Sequence, residues 1–161
     1  MNFDPEVMEF FSSTLSRDES DAMVHQFEDE HSRRGFCPWA VEEQESAKFI
    51  GFVGLHEVPA YLTFAPSVEV GWRLAREVWG LGYATEAAST SLAFAFEQLD
   101  LLEVVSMTSA LNQRSRRVME RLGMHRDPED DFDHPKVPEG HSLRPHVLYR
   151  LKATEWSSRL R

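Results

Sequence analysis

Trp79-Gly80-Leu81-Gly82-Tyr83-Ala84-Thr85-Glu86-Ala87 is the stretch on which the reading of the fold turns. It follows Val68-Glu69-Val70-Gly71-Trp72-Arg73-Leu74, whose β-branched and aromatic residues read as a strand. It opens a helical segment, Ala84 to Leu99, with Ala84, Ala88, Leu92, Ala95 and Leu99 along one face. Two glycines where an extended chain becomes a helix let a ligand approach bare backbone N–H groups. Those first-turn donors have no intrahelical partner and carry partial positive charge, so the turn predicts a phosphate cradle. Two common nucleotide motifs do not fit it. G-x-G-x-x-G would need a third glycine where Thr85 stands, and the Gly-Lys-Ser/Thr of a P-loop is absent.

The chain has 161 residues, enough for one domain with a real core, and the expected organisation is a single domain over 1–161. Hydrophobic content of 42% beside 27% charged residues is that of a globular protein rather than a disordered one. No apolar run reaches the length of a membrane span, and Met1-Asn2-Phe3-Asp4-Pro5 has no signal-peptide pattern. A single cysteine, Cys37, excludes an internal disulfide framework and suits a cytoplasmic location, where its expected role is a small buried hydrophobe. A net charge of −10 argues against nucleic acid as a partner, which needs a basic surface. It suits a cationic acceptor such as an amine, or plain solubility.

Working outward, Asp4-Pro5-Glu6 reads as a helix start. Ser16-Arg17-Asp18-Glu19 is a capping-box pattern for a helix carrying Met23 and Phe27 inward and ending near Arg33-Arg34-Gly35. Trp39–Glu42 and Lys48–Leu55 read as a hairpin, with Gly51 and Gly54 marking a bulge. Pro59–Ser67 is a loop whose Tyr61, Leu62 and Phe64 suit a substrate mouth. Leu102–Thr108 is a further strand, and Asn112 caps a helix closed by Gly123. Asp127–Gly140 reads as a mobile acidic loop, and His146–Leu151 as the last strand. Helices and strands interleave, which predicts one α/β (α+β) layer structure.

Three segments together resemble the GNAT superfamily of N-acetyltransferases, and within it the RimJ/RimL-like branch. They are Val68–Leu74, Trp79–Ala87, and Asn112-Gln113-Arg114-Ser115-Arg116-Arg117-Val118-Met119-Glu120-Arg121-Leu122-Gly123-Met124. The likeness runs from about Pro38 onward. The family's pyrophosphate loop starts with Gln or Arg, and Trp79 stands in that place here. The resemblance implies a mixed, mostly antiparallel twisted sheet flanked by helices. The first strand of that sheet is expected to be missing, since Asp4–Met8 resembles the passage just after it. An uncovered edge strand invites a second chain, which makes a homodimer a candidate assembly.

The resemblance implies acetyl-coenzyme A as co-substrate and an amine as acceptor, either a protein N-terminus or a small molecule. Its pyrophosphate would rest on Gly80, Leu81, Gly82, Tyr83, Ala84 and Thr85 beside Trp79, with the pantetheine arm along Trp72, Arg73 and Leu74. Asn112 either faces that arm or serves only as an N-cap. Arg73, Arg76, Arg114, Arg116 and Arg117 are candidates for the coenzyme phosphates, or solvated arginines. An alkyl amine is protonated at pH 7 (Lys pKa about 10.4), so a base must take its proton. Glu69 is the candidate base, its alternative being a solvent-facing strand residue. Backbone N–H groups near Val70–Trp72 are candidates for the oxyanion site. Ser115 matches the position of a serine proposed as the acid for the departing thiolate in this branch, its alternative being a first-turn helix residue that satisfies the backbone. Tyr83 and Tyr149 are in reserve, their alternative being half-buried packing aromatics. His125, His134, His141 and His146 show no metal-ligand spacing, so no metal is expected. The alternative function is a non-catalytic acyl-CoA-binding module of the same fold.

Overall fold

The computed structural model describes residues 1–159. The first helix, α1 (Arg17–Arg34), has the full capping box, Ser16 and Glu19 each closing on the other's backbone, and Gly35 ends it in the left-handed conformation. A hairpin follows, β1 (Pro38–Glu43) and β2 (Lys48–Glu57), then β3 (Val68–Leu74). The helix α2 (Tyr83–Glu97) leads to β4 (Glu103–Ser109), and α3 (Gln113–Arg121) to the short β5 (His125–Arg126) and β6 (Phe132–Asp133). The chain returns through β7 (Pro145–Lys152) into α4 (Ala153–Arg159). No described helix is long and apolar enough to cross a membrane.

The strands form one mixed sheet in the order β1-β2-β3-β4-β7-β5, with β6 also paired to β7. Every pairing is antiparallel except β3 with β4, which touch at a single register position, Glu69 opposite Val105. Beyond that point the two strands part. β1 is the terminal strand on its side of the sheet, pairing only with β2.

Strand alternation gives the sheet two faces with different duties. On one face, Val53 and Leu55 of β2 and Val70 and Leu74 of β3 pack against Ala88, Leu92, Ala95 and Phe96 of α2. Full burial of an aliphatic side chain contributes about 1.5–3 kcal/mol, so this layer holds the fold. On the other face, β3 presents Glu69, Gly71 and Arg73, with His56, Gly54 and Phe52 directly across on β2. Phe27 of α1 stacks edge-on against Phe52, with ring centroids 5.3 Å apart.

Several local expectations needed correction. Residues 5–10 form turns rather than a helix: Asp4 caps the Glu6 N–H and Met8 N–H bonds the Asp4 carbonyl, but no ladder continues. Met23 and Phe27 are only half-buried, because their face of α1 borders a cleft and not the core. Leu99 falls beyond the end of α2. β5, β6 and α4 were not anticipated, since two-residue strands are chosen by the partner strand and not by their own composition.

The bulge leaves Ile50 unpaired beside Gly51, where the β1–β2 register slips between Val41 and Glu42. Gly54 answers to crowding instead: a Cβ there would lie 2.3 Å from the Cys37 carbonyl oxygen and 2.7 Å from Pro38 Cα. Gly54→Ala is therefore expected to destabilise the protein by about 1–3 kcal/mol through overpacking, read as a lower urea midpoint with unchanged m-value.

Candidate active site

The parting of β3 and β4 opens a cleft of about 860 Å³ that runs from the start of α2 to the loop after β6. Glu69, Trp72, Arg73, Leu74, Trp79, Gly80, Gly82, Tyr83, Ala84, Thr85, Asn112 and Ser115 all line it. Leu81 does not; its side chain is exposed at the tip of the turn.

At one end the cradle has the geometry its sequence predicts. Gly82 is the N-cap of α2 at φ +95°, a conformation disfavoured for any residue with a Cβ, and it offers no side chain to the helix donors. The first-turn N–H groups of Tyr83, Ala84 and Thr85 therefore keep their hydrogens for a ligand. Trp79 turns its indole N–H to the Leu74 carbonyl at 2.9 Å, and its ring face carries the Arg114 guanidinium 4.3 Å from the centroid. Arg114 is also paired with Glu9 at 2.7 Å, which fixes a positive charge beside the cradle. Arg117 lines the cleft as well. Arg116 is instead directed to the Ala110 carbonyl and the Tyr149 hydroxyl, and Arg76 pairs with Glu6.

In the middle, Ser115 receives two hydrogen bonds on Oγ, from Trp72 Nε1 at 3.2 Å and from Asn112 Nδ2 at 3.1 Å. With its oxygen serving as acceptor to both neighbours, its own hydroxyl hydrogen is left to donate. Asn112 is the N-cap of α3, accepting from the Ser115 N–H at 3.1 Å, and its amide also donates to Thr108 Oγ1 at 3.0 Å. Both donors of that amide are thus used within the chain. Neither reserve tyrosine has a free proton pointing at the cleft. Tyr83 donates to Glu43 Oε1 at 2.8 Å, a bond that raises its pKa, and Tyr149 donates to Glu120 at 3.1 Å.

On the far face stands Glu69, 6% exposed and so not the solvent-facing residue its alternative reading supposed. Its Oε2 lies 3.3 Å from His56 Nε2, an ion-pair contact, and makes no hydrogen bond within the chain. Burial draws the His56 pKa down, but the charge and nearness of Glu69, helped by Glu30 and the Glu57 backbone, draw it up further. The net direction is upward. His56 was missed by sequence reading, and its only signal is the β2–β3 register that sets it opposite Glu69.

The loop expected to be mobile and acidic is tied down. Arg144 bonds Asp133 at 3.0 Å and the Val137 carbonyl at 2.7 Å, and Asp130 and Asp131 pair with Arg150 and Arg126. Three of its acids thus meet arginines, and the loop also gives the cleft a wall of His134, Val137, Pro138 and His141. His134 stacks on His146 with centroids 4.8 Å apart, and burial lowers the pKa of both rings. Among the described residues no group of three or more His, Cys, Asp or Glu is placed to hold a metal ion. Cys37 is buried and does not line the cleft, and burial raises its thiol pKa.

Arg73 projects onto the Glu69 face of β3, opposite the face that packs against α2. Its guanidinium lies between the Phe11 and Phe52 rings, 4.2 and 5.2 Å from their centroids, and Nη1 donates to Asn2 Oδ1 at 3.0 Å. Burial lowers its pKa to about 10.

The acetyltransferase (GNAT) domain family matches residues 1–125. The FsC-acetyl coenzyme A-N(2)-transacetylase of Aspergillus fumigatus is 32% identical over a 170-residue alignment covering 97% of this chain and 68% of that protein. A GNAT-family acetyltransferase structure from Bacillus anthracis superposes with a TM-score of 0.74 at 22% identity, covering 96% of this chain and 86% of the other. Spermidine N-acetyltransferase from Vibrio cholerae, solved in complex with CoA and spermine, gives a TM-score of 0.73 at 18% identity, with coverage of 97% and 88%. These two structures share the fold.

Proposed function

This chain belongs to the GNAT acetyltransferase family, and from that premise we propose that it is an acetyl-CoA-dependent N-acetyltransferase moving the acetyl group directly to a primary amine. The observation that carries the reading is the parting of β3 and β4. It joins the face with the uncapped α2 terminus to the face with Glu69 and His56, so a thioester held from one side meets an amine held on the other. The amine nitrogen forms the C–N bond at the thioester carbonyl, and the C–S bond breaks. The Glu69–His56 pair takes the amine proton, and Ser115 Oγ donates to the departing thiolate. Backbone donors of β3 beyond Glu69 are released from pairing with β4 there, and they suit the pantetheine arm and the oxyanion.

The same reading takes residues 1–161 as one domain of the RimJ/RimL-like branch, acting in the cytoplasm. It assigns a homodimer through the β1 edge, which sedimentation checks. The functional test is thiol release from acetyl-CoA across a panel of primary amines. Release with at least one amine is expected. Binding without transfer to any of them identifies the non-catalytic module instead. Saturating coenzyme at about 100 times its Kd is expected to add about 2.7 kcal/mol, a rise in Tm of about 5–10 °C. No shift overturns the coenzyme assignment.

A further inference from the structure

The charge of the cleft is opposite to that of the chain. The protein carries a net −10, yet Glu69 is the only carboxylate among the described residues lining the cleft, beside four arginines and four histidines. Arg114 has Glu9 and stands at the cradle, so the coenzyme phosphates account for that end. Arg73 is on the other face and has no such account.

No carboxylate of the described residues reaches ion-pair distance of Arg73. Asn2 and the Met23 sulfur take Nη1, Nε is buried with no partner, and Nη2 has no protein acceptor among the described residues. A desolvated guanidinium without a counter-charge is costly, and Phe11 and Phe52 repay only part of that through their ring faces. The lowered pKa of the group records the same deficit. An arriving carboxylate would cancel it, and the guanidinium fork matches carboxylate geometry.

From this placement we infer that the acceptor is an amine that also carries a carboxylate, with the amine at Glu69–His56 and the carboxylate at Arg73. The inference rests on the acetyltransfer reading and narrows it. Glu69 and Arg73 are four residues apart on one face of β3, or about 13 Å at roughly 3.3 Å per residue. The Arg73 guanidinium lies 5.2 Å from the ring of Phe52, its cross-strand neighbour, which keeps it near its own register position. Subtracting a hydrogen bond of about 2.9 Å at each end leaves about 7 Å between amine and carboxylate. A long ω-amino acid or a short peptide fits that reach, whereas an α-amino acid does not join the two groups.

The test compares 6-aminohexanoate with its primary amide and with 1,6-diaminohexane, acceptors of similar length that differ in the end group. A parallel arm uses a dipeptide with free or amidated C-terminus, which separates a small amino acid from a peptide. The acid is expected to exceed its amide at least tenfold in kcat/KM, and Arg73→Gln to abolish that preference while Arg73→Lys restores part of it. Binding of 6-aminohexanoate to the coenzyme-loaded protein, read by calorimetry, is expected to disappear in Arg73→Gln. Equal rates for acid, amide and diamine overturn the inference and leave acetyltransfer standing. Loss of acid and amide in equal measure in Arg73→Gln also overturns it, marking Arg73 as merely structural. Transfer to no amine at all overturns the function on which it rests, and the carboxylate preference falls with it.

Discussion

Glu69→Gln is expected to lower the plateau kcat/KM by about 10²- to 10⁴-fold, the usual contribution of a positioned acid or base. The glutamine keeps the shape of the side chain beside His56 but removes its charge. The acid limb of the pH profile carries a second readout. In the proposed mechanism the wild type needs His56 free of its proton, so the rate is expected to rise as pH passes its upward-shifted pKa. With Glu69 neutral, the downward pull of burial loses its main opponent, and the limb moves to lower pH. A lower plateau with a shifted limb supports the pair as the proton acceptor. A shifted limb with an unchanged plateau reduces Glu69 to an electrostatic neighbour, and an unchanged profile removes it from the proton path. Retained stabilisation by coenzyme shows that the variant is folded.

Gly82→Val is expected to weaken coenzyme binding by about 100-fold while leaving the fold in place. The φ of +95° costs a β-branched residue about 1–2 kcal/mol locally. The larger effect comes from the donors: relaxing the turn misaims the N–H groups of Tyr83, Ala84 and Thr85, and a hydrogen bond to a charged group is worth about 1.5–3 kcal/mol. The measurement is the Kd of CoA by calorimetry, with dephospho-CoA as comparison. An unchanged Kd removes the α2 terminus as the pyrophosphate site. Because nothing lies within 4 Å of the position, steric damage to the core does not confuse the result.

Much of this was legible in the sequence because it is local. The Ser16–Glu19 box, the glycine after Arg34, the Asn112 cap and the glycine turn are set by chemistry within four residues. Glu69 was legible as a polar residue in a strand that leads into that turn. His56 was not, because its place opposite Glu69 depends on a hairpin register fixed 13 residues away in the chain. The acidic loop misled for the same reason, as Asp130 and Asp133 are paired by Arg150 and Arg144 of the last strand and its approach.

The sequence by itself thus determined the strand, the uncapped helix terminus and Ser115 beside Asn112, since short-range hydrogen bonding and glycine conformation decide them. Tertiary structure alone decided which face each strand residue serves. It turned Arg73 onto the Glu69 face and set Glu69 against His56, because side-chain direction alternates along β3 while the covering layers come from α1 and α2. It also parted β3 from β4 after one shared register position, and that gap joins the face of the uncapped α2 terminus to the face of Glu69 and His56.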